Sequence, residues 1–133
     1  MKVTFEVLTG ITHHARRDAP LECCGLLAGN DGLIDEHIAA RNARNSAVAY
    51  QVDPVEHIAA VKGARARGRR ILGAYHSHPS TGAVPSATDV AEAYYGDGFL
   101  YFIVSLSSEP PDVRAYRLDD GRLEAVEFEV VRG

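Results

Sequence analysis

The sequence has no tryptophan, a single methionine and only two cysteines, Cys23 and Cys24, which stand side by side. Neighbouring residues on a strand point to opposite faces, so a disulfide between these two is strained, and both read as reduced structural thiols. With no CxxC pair to complete a thiolate site, any metal chemistry must rest on histidine and carboxylates. Also missing is an apolar run near the roughly 18 residues that a membrane span needs. The start, Met1-Lys2-Val3-Thr4-Phe5-Glu6, places an acid where a signal peptide would continue its apolar stretch. A cytoplasmic protein without membrane contact is expected. Strong charge is lacking too: a formal net charge of −4 gives no general reason to expect a nucleic-acid partner.

What is present is an ordinary globular composition, 46% hydrophobic and 24% charged over 133 residues, which excludes disordered and collagen-like chains and predicts one domain spanning 1–133. No repeat or linker interrupts it. A strand is expected over Val3 to Val7, then a short helix on Leu8, Ile11 and Ala15 that ends near Ala19-Pro20. Asn30-Asp31-Gly32 between Gly25–Gly29 and Leu33–Ala39 marks a hairpin, and Asp119-Asp120-Gly121 marks another between Val113–Leu118 and Arg122–Val131. A further strand is expected at Ala47 to Val52. Asp53-Pro54-Val55-Glu56 combines an N-cap, a first-turn proline and an acid, and opens a helix to about Arg67 that Gly68 stops. Ile71 to His78 reads as a strand, Ser86 to about Tyr95 as a helix, and Phe99 to Leu106 as a buried strand. The sum is an α/β sheet with about three helices. Lys62, Arg65, Arg67, Arg69 and Arg70 form a local basic cluster, read as cations favoured at a helix C-terminus, with a polyanion or acidic-protein contact as the other reading.

The segment His76-Ser77-His78-Pro79, followed by Pro85-Ser86-Ala87-Thr88-Asp89, carries the chemistry. On an extended chain His76 and His78 share a face, roughly 6–7 Å apart, with Ser77 opposite. Asp89, one turn into the next helix, can be brought over the end of that strand by the intervening loop. Two histidines and one carboxylate leave a fourth position for water, the pattern of catalytic zinc. Glu22, just before an apolar strand, is the acid best placed to enter such a site as a general base. Each residue has a plainer reading. A lone strand histidine is often structural, Ser86 to Asp89 also fits a capping box, and Glu22 alone would be a surface acid. His13, His14, His37 and His57 read as surface residues.

These residues resemble the JAMM, or MPN-plus, family of zinc-dependent isopeptidases, and in particular its small prokaryotic members. That family shows an upstream Glu, H-x-H, seven residues, Ser, two residues and Asp; here Glu22, His76, His78, Ser86 and Asp89 fill every polar position, with Glu22-Cys23-Cys24-Gly25-Leu26-Leu27, Pro79 and Pro85 agreeing around them. The resemblance implies a single-domain JAMM/MPN (cytidine-deaminase-like) fold with a mixed, mostly antiparallel curved sheet. It implies one Zn2+ per chain on His76, His78 and Asp89, Glu22 as general base, and Ser86 steadying an oxyanion. The implied partner is a ubiquitin-like or sulfur-carrier protein with a C-terminal Gly-Gly, cut from lysine as an isopeptide or from a single residue such as cysteine. Its tail is expected to add to an edge strand. The alternative is a catalytically silent scaffold that binds such partners.

Overall fold

Thr4 ends the first strand earlier than its apolar neighbours suggest. Its hydroxyl accepts the N–H of Val7 at 3.2 Å, capping a helix that begins at Phe5. In the computed structural model, which describes residues 1–132 apart from Tyr94, Tyr95 and Asp97, β1 is therefore only Lys2–Thr4 and α1 runs Phe5–Asp18. The expected strand to Val7 is corrected: Val7, Ile11, His14 and Ala15 are the buried face of α1, a helical stripe that a histidine partly disguises. That also corrects the surface reading of His14, which is 4% exposed with Nδ1 accepting the Tyr75 hydroxyl at 2.7 Å. His37 is half-buried, edge-on to the same ring.

β2 (Cys24–Asn30) and β3 (Leu33–Ala40) pair antiparallel through a two-residue turn in which Asp31 and Gly32 have φ of 49° and 78°, the left-handed pair that matches strand twist. α2 (Pro54–Ala66) starts on Asp53, whose carboxylate accepts the N–H groups of Val55 and Glu56. It stops at Gly68, where Gly68 N–H reaches Arg65 C=O and Arg69 N–H reaches Ala64 C=O. β4 (Arg70–His78), α3 (Ala87–Glu92) and β5 (Leu100–Ser105) follow; the expected α3 end at Tyr95 lies outside the described residues. β6 (Asp112–Asp119) and β7 (Arg122–Val126) form the second hairpin. The strand expected to run on to Val131 instead breaks at Glu127–Phe128, because β7 pairs with β6 while β8 (Glu129–Val131) crosses to pair with β1. No strand forms over 47–52; apart from one bridge between Asn42 and Val52, the segment is held by side-chain bonds.

The eight strands form one sheet in the order β7-β6-β5-β4-β2-β3-β1-β8, with parallel pairs at β4/β5, β1/β3 and β1/β8 and antiparallel pairs elsewhere. This order dictates its shape. Laid flat, the seven steps from β7 to β8 would separate the edges by about 34 Å. Yet Val126 and Glu129 are joined by a stretch that spans at most about 11 Å, so the sheet must curl until its edges approach. One face packs α1 against Leu27, Ile34, Tyr75 and Phe102; the other carries α2 over Leu26, Ala74 and Tyr101. Two members of the basic cluster turn out to be paired: Arg67 holds Glu36 and Arg69 holds Asp35, both acids on β3. Among the described residues no helix is long and apolar enough to cross a membrane.

Candidate metal centre

Strand parity places the histidines. Tyr75 enters the α1 core and Ala74 the α2 core, so His76 and His78 project on the α2 face, with Ser77 opposite. β2 lies antiparallel beside β4 with Cys24 opposite His76. Ser77 N–H donates to Cys23 C=O at 3.1 Å and Ser77 Oγ accepts Cys23 N–H at 2.8 Å, prolonging the pairing beyond the end of β2. One step further the register sets Glu22 opposite His78, on the same face. An acid with a surface look in the sequence is thereby 4% exposed, and its Oε1 has no hydrogen-bond partner among the described residues.

The third group arrives from α3. Ser86 caps that helix: its Oγ accepts Asp89 N–H at 3.0 Å while Asp89 Oδ2 accepts Ser86 N–H at 2.9 Å. The capping box is thus real, and it coexists with the second role suggested for these residues, since the same Asp89 Oδ2 lies 3.2 Å from His76 Nε2 and 3.1 Å from His78 Nε2. The loop between β4 and α3 is pinned by its carbonyls. Thr81 C=O accepts from Ser105 Oγ, Ala83 C=O from the Tyr116 hydroxyl at 2.6 Å, and Gly82 C=O from His78 Nδ1 at 2.8 Å.

The two Nε2 atoms are 3.2 Å apart, so three donor atoms form a nearly equilateral triangle with sides of 3.1–3.2 Å. Hydrogen bonds alone account for it poorly. With its Nδ1–H committed to Gly82, a neutral His78 turns a lone pair towards the Asp89 carboxylate, acceptor against acceptor. A small cation resolves the conflict: tetrahedral ligands at 2.0–2.1 Å from zinc stand about 3.3–3.4 Å apart. The residues fit a metal, and among the described residues His76, His78 and Asp89 form a buried group able to hold one.

Among the protein's own groups, the electrostatics are those of a buried hydrogen-bonded cluster. Burial raises the Glu22 carboxyl to about 7, against the opposing pull of His78 and with the help of Asp89. Burial would also raise Asp89, but hydrogen bonds from both imidazoles hold it well below the usual carboxylate range. Burial lowers His76; His78, equally disfavoured by burial, is raised by Asp89 and the Gly82 carbonyl. Burial pushes both Cys23 and Cys24 up to about 12, which fits the reading of inert thiols, and both are free. Sequence reasoning missed Tyr50, whose ring stacks on His76 at 4.2 Å and 16°. Its segment has no periodicity that would have revealed this. The expectation that a peptide tail adds to an edge strand meets a difficulty in the sheet order: β4 is three strands from β7 and four from β8.

Comparison with known proteins agrees with this architecture. The family described as prokaryotic homologs of the JAB domain matches residues 5–119. The chain is 32% identical over 131 residues to the CysO-cysteine peptidase of Mycobacterium tuberculosis, covering 97% of this chain and 90% of that protein. It is 37% identical over 112 residues to the desampylase of Haloferax volcanii, covering 79% and 80%. Among solved structures, a protein from Desulfitobacterium hafniense superposes with a TM-score of 0.91 at 31% identity over 99% of this chain and 93% of that one. The structure reported as "JAMM: A Metalloprotease-like Zinc Site in the Proteasome and Signalosome" superposes with a TM-score of 0.66 at 25% identity, over 99% and 98%.

Proposed function

From the premise that this chain belongs to the family of prokaryotic JAB-domain homologs and is a hydrolase, we propose that it is a zinc-dependent metallopeptidase that cuts after the C-terminal Gly-Gly of a ubiquitin-like or sulfur-carrier protein. The observation that carries the reading is the 3.1–3.2 Å triangle of His76 Nε2, His78 Nε2 and Asp89 Oδ2, three buried atoms at the spacing of ligands that share one small cation. The names of the relatives support the substrate class. One is a CysO-cysteine peptidase, another a desampylase, and a third, from Thermus thermophilus, is described as a probable TtuB-protein conjugate cleaving protease.

In this reading His76, His78 and Asp89 would hold one zinc, which when bound would supply Lewis-acid activation of water near neutral pH. Glu22 takes a proton from the attacking water and returns it to the leaving amine. A carboxyl raised to about 7 by burial is poised for both transfers. Ser86 accepts Asp89 N–H and still has its own proton to donate to the carbonyl oxygen as charge develops there. The bond broken is the amide after the second glycine; water supplies the oxygen to the acyl carbon and the hydrogen to the amine. The catalytically silent scaffold is the second reading, and the complete donor set argues against it.

The test is intact mass spectrometry of zinc-loaded protein with a ubiquitin-fold carrier extended beyond Gly-Gly by cysteine, and with a lysine-linked conjugate. Cleavage after Gly-Gly is expected, with Glu22→Ala and Ser86→Ala abolishing it while retaining zinc and His78→Ala losing zinc. Stoichiometric zinc without cleavage of either substrate moves the search to other amides. Absence of both zinc and cleavage favours the scaffold.

A further inference from the structure

The segment from Arg41 to Val52 has one strand-like bridge, and the side chain of Asn42 makes four of the hydrogen bonds that organise the rest of it. Asn42 Nδ2 donates to the carbonyls of Glu22 at 3.1 Å and Ala49 at 3.0 Å, while Oδ1 accepts the N–H groups of Arg44 at 3.0 Å and Gln51 at 3.1 Å. Two donors and a doubly accepting oxygen in one short plane are what a primary amide offers; aspartate cannot donate and glutamine carries the group one carbon too far. Closed in this way, the segment turns the Ser46 carbonyl onto Glu22 N–H at 2.9 Å and lays Tyr50 over His76. Both main-chain polar groups of Glu22 therefore end on residues 42–46. Glu22 precedes β2, and its Oε1 has no hydrogen-bond partner among the described residues, so the two main-chain bonds to residues 42–46 help to set where the carboxylate stands.

We propose that Asn42 is the positioning residue of Glu22, setting the carboxylate against the His76–His78–Asp89 group through the Glu22 carbonyl and the segment that receives its N–H. The inference rests on the reading of Glu22 as the general base. Displacing a reacting group by about 1 Å costs about 10²-fold in rate.

Asn42→Asp is nearly isosteric; it keeps the acceptor for Arg44 and Gln51 but sets an oxygen against the Glu22 and Ala49 carbonyls. In the zinc-loaded enzyme acting on the Gly-Gly-extended carrier, kcat falls about 10²-fold while KM and zinc affinity hold. In a Glu22→Gln background the same change alters the residual rate less than about 3-fold, because both substitutions act through one group. Multiplicative losses in the double variant, or loss of zinc in the single one, overturn the proposal. A second readout needs no turnover: amide hydrogen exchange of the metal-free protein speeds up at Glu22 by more than about 10-fold, with Phe102 in β5 unchanged. Unaltered protection at Glu22 overturns the proposal as well. Wild-type protein that cleaves neither carrier, with Glu22 exchange rising as expected in the variant, overturns the proposed function and leaves the hold of Asn42 on Glu22 standing. Asn42→Ala removes the donors without the repulsion and is read in the same two ways if the aspartate variant does not fold.

Discussion

Asp89 does two jobs with one oxygen, and they can be separated. Oδ2 closes the capping box with Ser86 N–H and completes the triangle with the two imidazoles. Asp89→Asn keeps a carbonyl oxygen for the cap but removes the charge that a metal requires. We expect metal affinity, measured by chelator competition, to fall by more than about 100-fold, since even partners outside the ligand set are worth 10–100-fold. At this scale the sequence was generous with His76, His78, Ser86 and Asp89, because their spacing survives translation into a strand, a loop and a helix start. It was silent on Tyr50 and Asn42. Their roles depend on an irregular segment whose contacts come from residues that spacing does not relate. Glu22 is intermediate. Nothing local marks it, and only the antiparallel register with β4 carries it to His78.

The element that brings Glu22 there is β2, and its packing leaves no slack. A Cβ on Gly25 would stand 2.4 Å from the Ile38 carbonyl and 2.5 Å from Cε1 of Tyr75, so backbone on one side and a fully buried ring on the other both resist it. Gly25→Ala should destabilise by about 3 kcal/mol, at the upper end of overpacking costs, as a lowered urea midpoint with an unchanged m-value would show. Hairpins and helices were the legible elements, since Asp31-Gly32, Asp120-Gly121, Asp53-Pro54 and Gly68 act within a few residues of themselves. The break at Glu127–Phe128 was not legible, because the alternation across it is that of an unbroken strand and only the switch of pairing partner from β6 to β1 interrupts it. Leu123 is odd in the alternation while Val126 and Phe128 are even, and the structure sends the first to the α2 side and the others to the α1 core.

For the molecule as a whole, closure of the curl depends on a short stretch. Phe128, between β7 and β8, packs its ring 5.3 Å from that of Phe102 in the α1 core. Phe128→Ala should cost about 2 kcal/mol, less than the 3–5 of a fully buried phenylalanine because the side chain is half-buried. Exchange protection should then be lost first at β1 and β8, with the β4 amides beneath the site spared; uniform loss across the sheet would count against separate closure. The curvature itself could be inferred only once strand order was known, because it follows from pairings between residues more than a hundred positions apart.

That separation also orders events in time. Glu22, His76, His78 and Asp89 all belong to the portion of the chain made before β5, whereas β1, made before any of them, waits for its second neighbour until Glu129–Val131 exist. Contacts across so long an interval are slow to form. On the ribosome, the centre of the sheet can assemble around its chemistry while the rim stays open, and β1 remains a sticky edge until β8 has been made.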